Sequence, residues 1–477
     1  MQRLITVLIV SAGLSSAVLA QTTLPAAAPI ATPNAGAMID APIDAPTLYA
    51  RTAPSLVAVQ YIWESELGRR EVVGPGVVVS DTGVVMAPLA MFDMRIPDAQ
   101  MKEFKLLIPS DTQDVQEIDA TFLGRDERSD VAFLKATAPR KWSPVKFVQR
   151  DMNVGDAIWS VGMLPKLAGY KPYIVDAKVS AKLRGEMPQI MVSGTLAAVG
   201  SPVFNASGEA TGWVISQSEQ TFLLNEARLG LSSVLRPPVV FVPTSAFAES
   251  LAHPPAGKPL ALPWMGVLQL VGVNKEVADY FGLKNQTALQ IGDIIPGGPA
   301  ERAGFKAGEI ITRINGQPIE RGDEPEELPL IVRRQIMRMN VGDRVGFTVV
   351  DPRSHKPREL VMVLEERPKQ ANLAQRFFAE DLGFAVREMV FMDSYARHLP
   401  GDSKGVIVAM VRPQSAAQTA RMEGNDLVVD LNGEKVTDLA PFKKAFEKFR
   451  TDHPKEAVVL VVLRDGKNLT IRIEPPQ

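Results

Sequence analysis

Short apolar runs separated by turn residues characterise the chain between about residues 48 and 250. SLVAVQYIW, GVVVSDTGVVMAP and DAIWSVGML are examples, and helical periodicity is slight throughout this stretch. Many short strands at regular spacing are typical of a β-barrel or a β-sandwich and disfavour a parallel sheet. The pattern therefore predicts an all-β domain over residues 47–250.

A proline-rich segment, AHPPAGKPLALP at residues 252–263, follows this region. Proline lacks a backbone N–H and interrupts regular strand pairing. We therefore expect a domain boundary in this segment.

The remaining chain contains an internal repeat. The segment IIPGGPAERAGFKAGEIITRINGQPI, from Ile294, aligns without gaps on VRPQSAAQTARMEGNDLVVDLNGEKV, from Val411, at an offset of 117 residues. Sequence similarity at one fixed offset indicates a duplicated structural unit. Two copies of one module, at about residues 258–368 and 376–477, explain the match.

Each copy contains an amphipathic helix followed by a hairpin. The hairpins are GFTVVDPRSHKPRELVMVLEE and AVVLVVLRDGKNLTIRIE, and the second turns at Asp465-Gly466, a dipeptide that suits a two-residue turn. In the helix of the second copy, Phe442, Phe446 and Phe449 fall on one face. Each copy is therefore predicted to contain both a helix and a sheet.

The first residues have the features of an export signal. MQRLITVLIVSAGLSSAVLAQ has an early positive charge, an apolar run, and small residues at Val18 and Ala20 that suit cleavage before Gln21. Residues 1–20 are thus predicted to be a signal peptide, with an uncleaved membrane anchor as the alternative. Residues 21–46 are rich in alanine and proline and predict an extended leader. We expect a periplasmic or secreted protein without a stable membrane anchor.

The composition fits a folded protein of several domains. A chain of 477 residues suggests about two to four domains, and its hydrophobic and charged fractions of 46% and 22% are those of globular proteins. The formal net charge of -2 gives no basic excess to neutralise phosphates, so nucleic acid is not an expected partner. The absence of cysteine excludes disulfides, thiolate metal sites and a cysteine nucleophile.

Three motifs carry a family resemblance. PGGPAERAGFKAGEIITRINGQPI lies in the first repeat, while GRDERSDVAFLK and SPVFNASGEATGWV lie in the all-β region. With these motifs, residues 47–477 resemble the HtrA (Deg) serine proteases, in which a secreted trypsin-like domain precedes PDZ domains. The resemblance implies a mostly β fold, namely a trypsin-like double β-barrel followed by two α+β PDZ domains.

The resemblance also locates the catalytic triad positions, and two of them hold apolar residues. In APLAM, at residues 87–91, the histidine position falls on Ala90. The aspartate matches Asp130 in the context SDVA. Counted back from Pro202 in AAVGSP, the nucleophile position falls on Val199. The protease domain is therefore predicted to be degenerate.

The distribution of histidine supports this prediction independently of the alignment. The chain has four histidines, and all of them follow residue 250: His253, His355, His398 and His453. A serine triad needs an imidazole to take the proton of the hydroxyl and to pass it to the leaving group. The barrel segment encodes none.

Other interpretations of this region remain open. A hydroxyl of Ser193, Thr195 or Ser201 could act with a lysine as a shifted nucleophile, and Asp130 could have a new catalytic partner or only order its loop. An oxyanion hole is in doubt, because Ala197 and Ser201 stand where the family has glycines, although Gly200 is present. The alternatives are thus an active serine endopeptidase with a rearranged site, or a subunit of a mixed HtrA-type assembly.

The PDZ resemblance implies peptide binding. A PDZ module receives a peptide, usually a C-terminus, as an added strand, and N–H groups of one loop receive the carboxylate. The resemblance places that loop at residues 264–267 and 381–384, with helices around 331–339 and 441–449 as the facing walls, and Asp381 adds a negative charge to the second loop. The candidate peptide-binding residues are Trp264, Met265, Gly266, Val267, Leu382, Gly383 and Phe384.

These observations together predict an exported, HtrA-like pseudoprotease. We expect it to bind unfolded proteins or peptide C-termini, as an adaptor, a chaperone-like holder or a regulator in envelope protein quality control. No cofactor or metal is expected, because the barrel lacks histidine and cysteine ligands. A homotrimer or a mixed oligomer is compatible with the resemblance.

Overall fold

The computed structural model describes residues 42–93, 96–109, 115–183, 187–215, 239–257, 260–283, 286–322, 325–400 and 403–476. The predicted signal peptide (1–20) and most of the predicted leader lie outside these residues. Helix α1 (Ala45–Thr52) begins inside the predicted leader, because the Asp44 carboxylate accepts a hydrogen bond from Thr47 N–H at 2.8 Å and caps the first turn.

Six antiparallel strands form a first closed barrel. They are β1 (Leu56–Ser65), β2 (Gly68–Val78), β3 (Val84–Pro88), β4 (Met101–Ile108), β5 (Gln116–Asp126) and β6 (Val131–Ala136). Their order around the barrel is β1-β2-β3-β6-β5-β4. Closure leaves no unpaired strand edge, and alternate residues such as Val57, Val59 and Tyr61 point into the core.

Six further strands form a second closed barrel. They are β7 (Ala157–Met163), β8 (Pro172–Leu183), β9 (Gln189–Gly194), β10 (Pro202–Asn205), β11 (Ala210–Trp213) and β12 (Val239–Pro243). Their order is β10-β11-β12-β9-β8-β7. A cluster that includes Phe133, Val161 and Trp213 packs the two barrels against each other. The short helix α2 (Ala248–Ala252) follows the second barrel.

The first repeat forms a sheet with helices. Its strands are β13 (Pro263–Trp264), β14 (Val267–Gly272), β15 (Leu289–Ile294), β16 (Ile310–Ile314), β17 (Gln317–Pro318), β18 (Arg344–Val350), β19 (Pro357–Val363) and β20 (Glu365–Glu366). Its helices are α3 (Lys275–Tyr280), α4 (Pro299–Arg302) and α5 (Leu328–Met337). The order β14-β15-β16-β18-β19 puts β14 at the edge, while β13 pairs with β20.

The second repeat has the same plan with one difference. Its strands are β21 (Arg376–Ala379), β22 (Phe384–Glu388), β23 (Val406–Val411), β24 (Leu427–Leu431), β25 (Glu434–Lys435), β26 (Val458–Arg464) and β27 (Lys467–Ile473). Its helices are α6 (Phe391–Ala396), α7 (Ala416–Thr419) and α8 (Leu439–Asp452). In the order β21-β22-β23-β24-β26-β27, the edge strand is β21 and not β22.

Equivalent hydrogen bonds confirm the repeat at the predicted offset. Ala300 N–H donates to Met265 O at 2.9 Å, and Ala417 N–H donates to Leu382 O at 3.0 Å. Both predicted hairpins are also present, as β18–β19 and β26–β27, and in the second Asp465 and its neighbouring glycine have positive φ. The predicted mostly β fold class is confirmed.

Candidate functional site: the barrel junction and the two module edges

The three predicted triad positions lie in segments that meet where the two barrels join. Leu89 N–H, next to Ala90, donates to Asp130 O at 3.1 Å. Gly200, next to Val199, packs so closely on the first barrel that a Cβ built on it would lie 3.0 Å from Pro88 Cδ. The same Cβ would lie 2.9 Å from Pro75 Cγ, which also belongs to the first barrel. The three predicted triad positions therefore lie in segments that are close together at the barrel junction, and two of the positions hold apolar residues.

The side chains at these positions offer little proton chemistry. Ala90 is exposed on a 3-10 turn at Leu89–Met91, and Val199 is half-buried. Neither side chain can donate or accept a proton. Asp130 has φ of 54°, a left-handed conformation that aspartate tolerates better than most residues. This backbone role accounts for an aspartate at this turn.

No imidazole is hydrogen-bonded to a hydroxyl in the part of the chain that the structure describes. The His253 ring is 76% exposed, and its Nε2 lies 3.9 Å from the carboxylate of Glu249, one helical turn earlier. The other three, His355, His398 and His453, lie in the repeats. A serine at the junction therefore has no base of the kind that a triad requires.

A buried cluster of serines and a carboxylate, which was not predicted from the sequence, lies beside the Asp130 loop. Ser250 Oγ donates to Asp126 Oδ2 at 2.7 Å and also lies 2.7 Å from Ser129 Oγ. Arg128 pairs with the same carboxylate at 2.9 and 2.8 Å. Because Asp126 and Ser250 are fully buried, the cluster fixes the loop and does not reach solvent. Its only signal in sequence was the string GRDERSD.

The backbone N–H groups around Val199 are engaged inside the chain. Ala197 N–H donates to Ser160 Oγ at 2.8 Å, and Ala198 N–H donates to the Tyr173 hydroxyl at 2.8 Å. Gly200 N–H donates to a main-chain carbonyl of the second barrel at 2.7 Å. An oxyanion hole needs free donors aimed at the position where negative charge develops. Three donors of this loop already have other acceptors.

The hydroxyls considered as shifted nucleophiles are poorly placed. Ser201 is 1% exposed, and a Cβ built on Gly162 would lie only 2.8 Å from its Oγ. Ser193 Oγ donates to the main-chain carbonyl of Lys178 at 3.3 Å, and Thr195 is exposed. Among the residues described, no lysine ammonium forms a hydrogen bond with any of the three.

A tyrosine lies beneath the histidine position. Tyr61 donates its hydroxyl proton to the main-chain carbonyl of Met91 at 2.8 Å, and burial raises the pKa of Tyr61 to about 12. The side chain is therefore a neutral donor that supports the turn next to Ala90 at physiological pH. A phenol with a raised pKa is a poor general base at this position.

The first repeat has an open strand edge next to the predicted loop. Gly266 has φ of 74°, and its carbonyl accepts from Ile295 N–H at 2.9 Å. Within the described ranges the Gly266 N–H itself meets no acceptor. Along β14, Leu268 and Val271 are 40% and 45% exposed. A strand edge with a free loop donor and exposed apolar residues has the geometry that an added peptide strand requires.

The far end of this edge is closed. The main-chain carbonyl of Pro325, just before α5, lies directly against Gly272, at the end of β14. A side chain at position 272 would overlap that carbonyl. The accessible part of the edge is therefore limited to the residues nearest the Gly266 loop.

The second repeat has the same loop, but its edge is occupied. Gly383 has φ of 76°, yet its N–H donates to Ala379 O at 2.8 Å. Strand β21 pairs along β22, with Phe377 opposite Val386. Leu382 and the equally buried phenylalanine at 384 belong to the core. Peptide binding by the predicted residues of this loop therefore requires that β21 leave β22.

The negative charge predicted for the second loop has a partner. Arg450, on α8, donates from Nε to Asp381 Oδ2 at 2.8 Å. Asp381 is therefore held as part of an ion pair at the turn between β21 and β22. This pair fixes the turn, in addition to the Gly383 hydrogen bond.

Comparisons with known families agree with this arrangement. The trypsin-like peptidase domain family matches residues 74–212, and the PDZ domain family matches residues 290–330 and 381–474. The HtrA-type protease AlgW, solved with a decapeptide, superposes with a TM-score of 0.51 at 17% identity, over 69% of this chain and 100% of that chain. The structural likeness supports the fold.

Curated relatives carry the name "probable periplasmic serine endoprotease DegP-like". The protein from Marinomonas sp. (strain MWYL1) is 27% identical over 410 residues, covering 84% of this chain and 78% of its own length. The protein from Rhizobium meliloti (strain 1021) is 25% identical over 364 residues, covering 74% and 68%. The matches confirm the predicted resemblance at the level of domains.

None of the helices in the described residues combines the length and hydropathy needed to span a bilayer. The longest of them, α8, has 14 residues.

Proposed function

Because the chain joins a trypsin-like peptidase domain to two PDZ domains, as HtrA-type proteases do, we propose that it is an exported pseudoprotease that binds peptide segments through its PDZ domains. One observation carries the proposal. At the barrel junction, Val199 stands at the nucleophile position in a loop whose neighbouring N–H groups are already hydrogen-bonded within the chain.

The energetics of a triad support the absence of catalysis. Loss of the nucleophile or of the base typically lowers turnover by about 10⁴ to 10⁶, and the remaining activity depends on an oxyanion hole. Here Ala90 and Val199 replace both groups, and Ala197 N–H donates to a serine hydroxyl. The proposed pseudoprotease therefore lacks the proton carrier, and the Ala197 N–H is not free to stabilise an oxyanion.

The peptide-binding part rests on the first PDZ domain. Its β14 edge is unpaired on one side within the described chain, and the Gly266 N–H points to no intrachain acceptor. Met265 is buried, so it can form the base of a pocket for a terminal side chain. These features favour capture of short extended segments or C-termini.

The setting of this activity follows from the predicted signal peptide and from the relatives. We infer export to the periplasm, with residues 1–20 removed, the degenerate domain at 47–250 and the PDZ domains at 258–368 and 376–477. The relatives that match most of this chain have names that describe them as periplasmic. An adaptor, a holder of unfolded chains or a regulatory subunit of an HtrA-type oligomer, homotrimeric or mixed, fits this setting.

Incubation of the purified chain with unfolded casein and a fluorophosphonate probe tests the absence of catalysis. We expect neither cleavage nor labelling. Inhibitor-sensitive cleavage by a homogeneous sample would refute the proposal and revive the rearranged endopeptidase.

Peptide-array binding followed by calorimetry tests the PDZ part. Gly266→Ala should lower affinity at least about tenfold, because a Cβ there would lie 2.7 Å from a ring carbon of Pro299 and would require a strained φ. Gly282→Ala is the matched control, since Gly282 also has positive φ, lies in the same domain and has open space around it. Equal loss in both variants, or no binding by the wild type, would contradict the proposal.

A further inference from the structure

We infer that the second PDZ domain is closed by its own chain: residues 376–379 occupy the groove in which a peptide would add as a strand. Free peptides then bind the first PDZ domain, and they gain access to the second only when this segment is displaced. The inference rests on the proposed peptide-binding function, and it defines which of the two grooves is available. It concerns the edge of β22 and the facing helix α8.

Strand β21 lies along the outer edge of β22. β21 pairs with β22 from Arg376 opposite Arg387 to Ala379 opposite Phe384. The ladder extends one residue further, because Glu388 N–H donates to Gln375 O at 3.0 Å. A peptide added to β22 would use this same edge, since the opposite edge of β22 pairs with β23. The backbone positions for an added strand are therefore filled.

Strand β21 also places an aromatic side chain in the groove. The Phe377 ring lies 5.6 Å from the Phe446 ring and 6.2 Å from the Phe442 ring, both of which are buried on α8. Lys443 Nζ lies 5.8 Å from the centroid of the same ring. Aromatic pairs at such distances add to the energy of apolar burial. Phe377 thus occupies the place of a ligand side chain between β22 and the helix.

Strand β21 also contacts the first barrel. Arg376 Nη1 lies 3.4 Å from the carboxylate of Glu66, in the turn between β1 and β2. Two residues further along β21, the Phe378 ring lies 4.8 Å from the guanidinium of Arg412, which also contacts the main-chain carbonyl of Glu66 at 3.4 Å. Removal of β21 would break the contacts that Arg376 and Phe378 make, whereas the hydrogen bond from Arg412 to the Glu66 carbonyl does not involve β21. Occupancy of the groove by a free peptide is therefore coupled to loss of the Arg376 contact with the barrel turn.

The short connection makes β21 a strong competitor. Only residues 380–383 separate it from β22, and this turn is fixed by the Gly383 hydrogen bond and by the Arg450 ion pair. A tethered ligand on a short connection acts at an effective concentration of about millimolar or more. The apparent Kd of a free peptide equals its Kd for the open groove divided by the fraction of molecules in which the groove is open.

Hydrogen exchange of the full chain tests the closure directly. In the wild type, amides of residues 384–388 should exchange at least about tenfold more slowly than those of residues 267–270, the part of β14 whose outer edge is open. Equal exchange in the two segments would overturn the inference. The result does not depend on any ligand, so it remains informative even if the first PDZ domain binds no peptide.

A complementation experiment tests the ligand mimicry. The probe is a fluorescein-labelled peptide with the sequence QRFFAE, residues 375–380. It should bind Phe377→Ala, whose own strand has lost the anchoring ring, at least about tenfold more tightly than the wild type. Phe449→Ala is the matched control, because Phe449 is also partly buried on α8 but contacts His453 and not β21. Binding by the control, or equal binding by the wild type, would contradict the inference.

A second variant keeps the inference testable if Phe377→Ala does not fold. Glu66→Gln lies outside the PDZ domain and weakens only the contact with Arg376. We expect it to speed exchange of residues 384–388 measurably, by about two- to threefold, without loss of secondary structure. Unchanged exchange in this variant would show that closure of the second PDZ domain is not coupled to the contact between Glu66 and Arg376.

Discussion

The two PDZ domains share a loop but differ in the strand that precedes it. Gly266 and Gly383 have nearly the same φ, 74° and 76°, and both carbonyls accept equivalent hydrogen bonds. In the first domain, the preceding residues Pro263–Trp264 pair with β20 and leave β14 at the edge. In the second, Arg376–Ala379 turn back and cover β22. Availability of a groove therefore depends on the flanking segment.

The local sequence explains why the flanking segments behave differently. The segment before the first loop contains four prolines within residues 252–263 and cannot supply a continuous row of N–H donors. The segment before the second loop reads RFFAEDLG, has no proline, and places two phenylalanines on opposite faces. One domain is thus proposed as the peptide receptor, and the other as a closed element that docks on the first barrel.

The largest expected effect comes from a buried ion pair that only the second domain has. Arg387, on β22, contacts Asp393 at 2.6 and 2.7 Å, and both residues are at most 9% exposed. At the offset of 117 residues, the first domain has Leu270 and Glu276 instead. Asp393→Ala should destabilise the second domain by about 3–5 kcal/mol, because it leaves a buried guanidinium unpaired.

Urea denaturation of the full chain, monitored by hydrogen exchange of each domain, measures this loss. Glu276→Ala is the control, and its change should stay within about 0.5 kcal/mol because Glu276 is exposed. If both variants behave alike, the ion pair does not set the stability of the closed domain.

A smaller effect is expected at the far end of the open edge in the first domain. Gly272→Ala forces a methyl group onto the Pro325 carbonyl, so α5 must shift away from β14. We expect a loss of about 1–3 kcal/mol in the stability of this domain, as for other overpacked sites. The midpoint of urea unfolding checks it, with Gly346→Ala as the control, because Gly346 lies in the same domain, has no positive φ and leaves room for a Cβ. Unchanged stability would show that the groove end is free to open.

The smallest expected effect is a pH dependence of the closed domain. Burial opposes ionisation of Asp393 and Glu388, but hydrogen bonds from Arg387 and Lys369 outweigh it and lower both pKa values. Lowered pKa values stabilise the fold above the unfolded values of 3.8 and 4.5, and this stability is lost as pH falls through the folded values.

Urea midpoints of the second domain at pH 7 and pH 3 measure this dependence. The midpoint should fall at pH 3, and Asp393→Asn should reduce the difference between the two pH values. A midpoint that is independent of pH would mean that these carboxylates are not stabilised by their partners in the folded domain.

Much of the fold followed from the order of apolar runs. Strand-length runs with turn residues predicted a β-barrel or a β-sandwich, and the family resemblance selected the double barrel. The repeat predicted two equivalent domains, and the structure shows equivalent hydrogen bonds in them. Helix bounds were less accurate: α8 spans Leu439–Asp452, longer than the predicted 441–449, because Asp438 caps its start. The pairing of β21 was not predicted, because alternation in RFFA does not specify which strand becomes its neighbour.

In the candidate site, too, some features could be predicted from the sequence and others could not. The lack of an imidazole in the barrel segment is a property of the composition, and no conformation can supply one from within it. The engagement of Ala197 N–H by Ser160 was invisible in sequence, because it joins residues that are 37 positions apart. The same holds for the Ser250 contact with Asp126, across 124 positions.

The sequence by itself determined which chemical groups are present: an alanine and a valine at two predicted triad positions, a duplicated glycine loop, and an unbroken RFFA segment before the second loop. Only the tertiary structure decided how these groups are used. Hydrogen-bond donors and strand edges are satisfied by whichever partner packing brings near, and that partner is set by contacts between residues far apart in the chain. For this reason one glycine loop lies beside an open edge, and its copy lies beside a closed one.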